Sequence, residues 1–442
     1  MKLPAEFMRQ GLPDTGDAVS RPVDLSLLIG GDMVLTQPWS QDPDPAFRAL
    51  VDVLRSADVT LVNLEEVIND FHGYAQAHGG GGWLAARREI AGEVAWAGID
   101  MVSHANNHSF DYGSLGVLEN LKNVGEAGIV LAGSGEDLPA ARAPRYFRHQ
   151  HSTLALVSAA STFTPCGLAS NSRPGVAGRP GINPLRIISD TRFTLTPETA
   201  SGLQRAALTL GFSGCRFGRP RFQVAGFELR IGDRFSITSG TRPEPSDLAG
   251  NLAAVREAAT KADVVIFSLH SHRQGSWLRS LAHLILDAGA DVFVAHGPHE
   301  IQGIEIYAGK PIFYCLGNFS FQVHQIDRYP DDTYERYGLG DNATPGDLRQ
   351  ARLGGLFGTL WPRKAWESVA ASLRIAAGRV VELRLLPLDL RRDDPDSTRG
   401  TPRLADSEMG RSVIERIAAR SRCYGAEICW DEEVQLGVVT LD

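Results

Sequence analysis

The sequence predicts an α/β fold, and three observations carry that expectation. Short apolar stretches of strand length alternate with segments of helical spacing along most of the chain. The apolar stretches repeatedly end in glycine-bearing or polar loops, as at Gly30-Gly31-Asp32 and His270-Ser271-His272. Such loops at the C-terminal ends of strands are where open α/β sheets place their chemistry. The third observation is size: 442 residues, 43% of them hydrophobic and 22% charged, allow one large domain with insertions or two to three ordinary ones.

Composition narrows the function classes. A net charge of −8 argues against a general nucleic-acid binder and leaves room for a local basic pocket. The longest apolar runs are strand-sized, so no transmembrane segment is expected. Residues 1–22 are polar and lack the basic start and apolar centre of a signal peptide, which predicts a flexible N-terminal arm and a cytoplasmic protein. Cysteines 166, 215, 315, 423 and 429 are scattered, odd in number and without a CxxC, so neither a disulfide framework nor a zinc knuckle is expected.

The first strand reads as 24–29, with Gly30 and Gly31 permitting a sharp turn that leaves Asp32 at its end. Asp32 there either ligates a metal or caps the next element. Helical spacing over 45–57 leads to a strand at 58–62, which delivers Asn63-Leu64-Glu65-Glu66. Alternation points Asn63 and Glu65 the same way, two oxygen donors suited to a hard or borderline cation. Glu66 reads as a surface residue. Residues 71–82, with glycines at 79 to 82, read as a flexible loop beside a pocket; they lack the GK[ST] of a phosphate loop. A helix over 83–98 and a strand at 99–103 precede the polar stretch Asn106-Asn107-His108-Ser109-Phe110-Asp111-Tyr112-Gly113. Asn107 can ligate through its amide oxygen, and His108 can ligate or donate a proton, unless the stretch is only a polar turn. His104 reads as a supporting residue.

A helix at 114–127 and strands at 129–132 and 153–158 follow. Residues 161–250 break the rhythm and read as a loop-rich insertion, with a β-hairpin over 222–238 turning at Gly232-Asp233. Arg173, Arg179 and Arg186 within it either clamp an anionic group or sit solvated on the surface. A helix at 247–260 and a strand at 262–269 end at His270; a helix at 277–288 and a strand at 291–295 end at His296-Gly297-Pro298-His299. Two histidine clusters at successive strand ends point to a metal. A hairpin turning at Ala308-Gly309-Lys310 delivers Asn318. Residues 322–356 read as a lid, 369–373 and 380–385 as closing strands, and 391–442 as a linker and C-terminal cap with a helix at 408–420. The collected donors mix oxygen and nitrogen without thiolate, which favours Mn²⁺, Zn²⁺, Fe²⁺ or Mg²⁺. Such a site can activate water and neutralise charge on a phosphoryl or carbonyl oxygen.

The order of these motifs resembles the CapA family of poly-γ-glutamate capsule synthesis proteins, within the calcineurin-like metallophosphoesterase superfamily. The resemblance rests on Gly31-Asp32, Asn63-Leu64-Glu65, the stretch 105–113, His270, the stretch 296–305 and Pro311 to Phe319. It implies a four-layer α/β/β/α metallophosphoesterase-like sandwich over 23–390, with the insertion at 161–250 and the extension at 391–442 appended. It further implies metal ligation by Asp32, Asn107, His270 and His299, with Asn63 or Glu65 at the bridging position and His296 as a ligand or substrate contact. His108 is then the proton donor and Glu65 a bridging ligand or base; on their own chemistry, apart from the resemblance, Arg173, Arg179 and Asn318 are candidate substrate contacts. Two departures stand out: Val34 occupies the second metal-ligand position of the superfamily's Asp-x-His motif, and Gly297-Pro298 separates the last two histidines. One or two divalent metals are therefore expected. The implied function is a metal-dependent hydrolase acting on an anionic phosphoester or a γ-glutamyl amide or peptide. The alternatives are a non-catalytic poly-γ-glutamate binding or assembly factor and a transferase on the same scaffold.

Overall fold

A computed structural model describes residues 24–210, 221–224, 227–354 and 361–441; the expected arm at 1–22 lies outside them. The molecule is a mixed α/β protein with several sheets. Ten described strands form the largest sheet. Its first strand, Asp24–Val34, lies between Val59–Leu64 on one side and Glu367–Ala376 on the other, parallel to the former and antiparallel to the latter. A second sheet of six strands is built around Ser152–Ala160, Val264–His270 and Val292–His296, all parallel.

Alternation along each strand decides what faces what. Leu27, Ile29, Leu61 and Met101 of the large sheet pack against Leu156, Ile266 and Val294 of the six-stranded one in a single buried cluster. The intervening residues Leu28, Val62 and Val102 face outward onto Phe47, Leu50 and Leu54 of the helix Pro45–Ser56. On the far side, Phe267 and Phe293 meet Leu252 and Val255 of the helix Pro245–Ala259 and Leu281 of Ser276–Asp287. Helix starts are chemically fixed: Asp44 accepts from the Ala46 and Phe47 amides at 2.8 and 3.0 Å, with Pro45 in the first turn.

Four readings of the sequence need correction. Gly30 and Gly31 do not turn the chain; the first strand runs through them to Val34, with a register shift between Ile29 and Asp32. Their role is close approach, since a Cβ on Gly31 would lie 1.9 Å from the Gly317 carbonyl oxygen. The expected helix at 83–98 is confined to Ile90–Trp96, because Ala85–Ala86 is taken up as a strand beside Val67–Ile68. In the insertion, Phe227–Ile231 pairs with Arg221–Val224, whereas Ser236–Pro243 crosses to the other side of Ile187–Leu195. No hairpin therefore turns at Gly232-Asp233. Finally, the C-terminal extension is part of the large sheet: Leu436–Val439 pairs with Arg379–Asp389, and Val413, Ile414 and Ile417 of the helix Ser407–Ser421 join the inter-sheet core.

Candidate metal centre

Register brings the site together before any side chain is considered. Asp32 pairs with Asn63 and with Asn318, and Asn63 with Ser103, so four neighbouring strands of the large sheet bring these residues into a row. In the six-stranded sheet His270 pairs with His296. The two rows face each other. Asp32 Oδ1 lies 3.5 Å from His296 Nδ1 and 3.9 Å from His270 Nδ1, and Asp32 Oδ2 lies 3.4 Å from His299 Nδ1. Glu65 Oε1 lies 3.6 Å from His270 Nε2 and 3.7 Å from His299 Nε2. A turn makes the last approach possible. Gly297 has φ 111° and donates its amide to Asp32 Oδ2 at 3.0 Å, and a Cβ there would strike the His272 ring at 2.7 Å. His299 follows in the left-handed region at φ 56°, a conformation tolerated where the surroundings over-determine it.

Within this cluster two sets of three donors each lie within 4.8 Å of one another: Asp32, Glu65 and His270, and Glu65, His272 and His299. Glu65 is common to both. The electrostatics show what the cluster lacks. Burial pushes the Glu65 carboxyl well above the usual range, with the Asp32 and Asp111 carboxylates adding to it. Asp32 is raised by burial as well. His270 is held well below the usual imidazole range by burial and by the neighbouring histidines, and His272 and His299 are lowered to about 4 by burial first. Both Glu65 carboxylate oxygens, both ring nitrogens of His296 and the Asn107 amide oxygen are buried without a hydrogen-bond partner. Native interiors rarely leave such atoms unpaired, and unpaired ones call for a missing group. Carboxylates, neutral imidazoles and an amide oxygen are the donors a divalent cation takes, so the residues fit a metal.

Beside the cluster, His108 Nδ1 donates to Asp111 Oδ2 at 2.7 Å. The other Asp111 contacts are backbone amides: Gly80 at 2.9 Å and Leu84 at 2.8 Å. Asp111 thus fixes the imidazole and ties down the glycine loop in one stroke. His108, Glu65, Asn107, His272 and His299 all line a cavity of about 630 Å³. The sequence model of the bacterial capsule synthesis protein family, PGA_cap, matches residues 26–323, the segment that contains every one of these residues. The chain belongs to this family, the CapA proteins.

Among its CapA-family relatives, the "uncharacterized protein y4sH" of Sinorhizobium fredii is 32% identical over 441 residues, covering 96% of this chain and 95% of that one. The capsule biosynthesis protein CapA of Bacillus anthracis is 24% identical over 312 residues, 68% of this chain and 59% of that one. The PGA biosynthesis protein CapA of Bacillus subtilis is 24% identical over 323 residues, 70% and 66% respectively. A hypothetical protein from Thermus thermophilus with a solved structure aligns at TM-score 0.41 and 16% identity, over 83% of this chain and 99% of that one.

Several residues of this CapA-family chain stand elsewhere than the sequence suggests. Asn63 lies in the cluster, but both ends of its amide are engaged: Nδ2 donates to Asp32 Oδ1 at 2.8 Å and Oδ1 accepts from Ser103 at 3.0 Å. Through Nδ2 it positions Asp32. Asn318 is no substrate contact either; it pairs with His299 Nδ1 at 2.8 Å and donates to the Ala365 carbonyl. Arg173 and Arg179 do not line the cavity, and Arg179 donates to the Leu168 carbonyl at 2.8 Å. Arg186 is spent on Asp247, at 2.7 and 2.9 Å. Glu66 is fully buried, not superficial, and accepts from the Leu35 amide. His104 is buried between Ser134 Oγ and the Glu66 carbonyl, a supporting role. Sequence reading passed over His272, although its place two residues after His270 at a strand end was the available signal. It also passed over Asp111, whose i+3 spacing from His108 carries no warning that the pair closes a loop.

Proposed function

We propose that this CapA-family protein is a metal-dependent hydrolase of a phosphoester or a γ-glutamyl amide. The observation that supports it most directly is the set of buried, unpartnered donors around Glu65. Two facing sheets with helices packed on their outer faces support reading the fold as a four-layer metallophosphoesterase-like sandwich. In this reading Glu65 would hold a cation together with Asp32 and His270, or together with His272 and His299, with His296 beside Asp32 and Asn107 lining the same cavity. Cations bound there supply Lewis acidity and a water made nucleophilic at neutral pH.

The remaining chemistry belongs to the chain. His108 presents Nε2 to the cavity and protonates the leaving oxygen or nitrogen as its bond to phosphorus or carbon breaks. Asp111 accepts from Nδ1–H and orients the ring so that Nε2 is the nitrogen left to exchange a proton with the leaving group. Asn318 and Asn63 hold His299 and Asp32 against rotation. Glu65, engaged by both triads, serves as a ligand in preference to a general base. The test is elemental analysis of the purified chain by mass spectrometry after Mn²⁺ or Zn²⁺ loading, with hydrolysis of phosphoesters and γ-glutamyl peptides followed in parallel. One or two metals per chain with metal-dependent turnover is the expected result. A folded chain that takes up no metal, or that binds poly-γ-glutamate without metal and turns nothing over, defeats the proposal.

A further inference from the structure

The cavity is lined unevenly beyond the acid and histidine cluster. One wall is aromatic. Trp361 is 46% exposed, yet it stands edge-on to His299 with ring centroids 5.1 Å apart and to Phe321 at 5.3 Å. A half-open indole beside the cluster is a large, rigid apolar platform. Trp366 holds its backbone in place, donating from Nε1 to the Trp361 carbonyl at 3.1 Å.

The lining also includes Arg336, from the short helix Asp331–Arg336. Among the described lining residues it is the one arginine or lysine. Its guanidinium lies 5.3 Å from the centroid of the Trp83 ring and, among the described residues, gives a single 3.3 Å hydrogen bond, to the Gly81 carbonyl. Arg87 and Arg391 are paired with carboxylates, Asp327 and Asp42, at 2.6 Å each, and among the described residues Arg336 meets none. Arg336 has five N–H donors and spends one on a long neutral bond. Exchanging that bond for a bidentate pair with a phosphate or carboxylate is favourable. Gly81 also marks how near this part of the lining is to the chemistry, because a Cβ there would sit 4.0 Å from His108 Nε2.

We infer that the cavity selects a compact anion that carries a flat ring, with the ring against Trp361 and the anionic group within reach of Arg336. The inference rests on the reading of the cluster as a cation site and names the substrate class for it. A long polyanion does not match this lining. Successive carboxylates need successive cations, and the lining supplies one guanidinium. The nearby Lys364 is already paired with Glu300 at 2.6 Å, and Glu300 adds a carboxylate to the wall.

Calorimetric titration of the Zn²⁺-loaded full chain with phenyl phosphate, inorganic phosphate, glutamate and a γ-glutamyl trimer tests this. Phenyl phosphate is expected to bind at least about tenfold tighter than inorganic phosphate, the worth of one stacked ring. Trp361→Ala is expected to erase that preference while leaving inorganic phosphate unchanged, and Trp361→Phe to keep most of it. Arg336→Gln is expected to weaken both phosphates about tenfold with Zn²⁺ content unaltered, and Arg336→Lys to regain part. Equal binding of the two phosphates, no measurable binding of phenyl phosphate, or an affinity that climbs with each added glutamyl unit overturns the inference. Zn²⁺ content, read by mass spectrometry on the same samples, separates the two failures. A chain without Zn²⁺ sinks the cation reading and what rests on it, whereas indifference to the ring in a chain that holds Zn²⁺ sinks this inference alone.

Discussion

Glu65 is the residue on which the site turns, and its burial without a partner is costly in the metal-free protein. Removing an uncompensated buried carboxylate relieves that cost. Metal-free Glu65→Ala is therefore expected to be as stable as the metal-free parent or more stable, by about 1–3 kcal/mol in urea unfolding. The same variant is expected to lose metal altogether. A variant that is markedly less stable, or that still binds its metal, contradicts Glu65 as a ligand. His108 and Asp111 separate in the opposite sense. His108→Ala is expected to keep its metal and to lose turnover by roughly 10²–10⁴-fold, the usual worth of a positioned acid. Asp111→Asn is expected to lower turnover with the metal content unchanged, both read on the same samples.

At the scale of the element, the first strand is pinned by its neighbours. Its Asp32 amide donates to the Gly317 carbonyl at 3.0 Å, and Gly31 leaves no room for a side chain at that contact. Backbone cannot yield cheaply, so Gly31→Ala is expected to destabilise the fold by about 3 kcal/mol or more, measured as a lowered urea midpoint with unchanged slope. The helix Ser407–Ser421 is a second element with more weight than its position suggests. Val413, Ile414 and Ile417 are buried in the inter-sheet core. Deleting residues after 405 re-exposes that core at a cost of roughly 5–9 kcal/mol for the three side chains, and such a chain is expected to be insoluble or to lose its cooperative melting transition.

Histidine charge connects the site to the stability of the whole molecule. His104 is fully buried and lowered to about 4, burial being the dominant cause. An unfolded chain takes up a proton at this residue from about pH 6.5 downward, and the folded one does so only near pH 4. Stability contributed by a neutral His104 is thus present above pH 6.5 and is lost as pH falls through that window. Metal-free protein is expected to lose roughly 3 kcal/mol on this account between pH 7 and pH 4. The difference in pH slope between the parent and His104→Gln, by chemical unfolding at several pH values, measures it.

The large-scale outline was readable from the chain because parallel strands covered on both faces are apolar runs, and polar residues that end them are conspicuous. Asp32, Glu65, Asn107, His270, His296 and His299 were found that way and stand together. Orientation was not readable. Whether Asn63 and Asn318 face a ligand or a neighbouring side chain is decided by partners far off in sequence, and Arg179 and Arg186 of the insertion are engaged by a carbonyl and a carboxylate of their own surroundings. Strand pairing in the insertion escaped for the same reason. Alternation marks Phe227–Ile231 and Ser236–Pro243 as strands, but nothing local says that Ile187–Leu195 comes between them.

The pairing of the first strand with Asn318–Phe321 has a consequence for the order of events during synthesis. Val34 accepts from the Ser320 hydroxyl, 286 positions later, and Asp32 depends on Gly317 and Asn318 for its setting. At about 5–20 residues per second, the ribosome delivers the second half of this contact roughly 15–60 s after the first. Through most of that interval Asp32 and Glu65 exist on a chain that has no histidine wall to face. The proposed metal centre is therefore a late product of translation, and a nascent chain arrested before residue 270 is expected to retain none of the cation that the finished protein takes up.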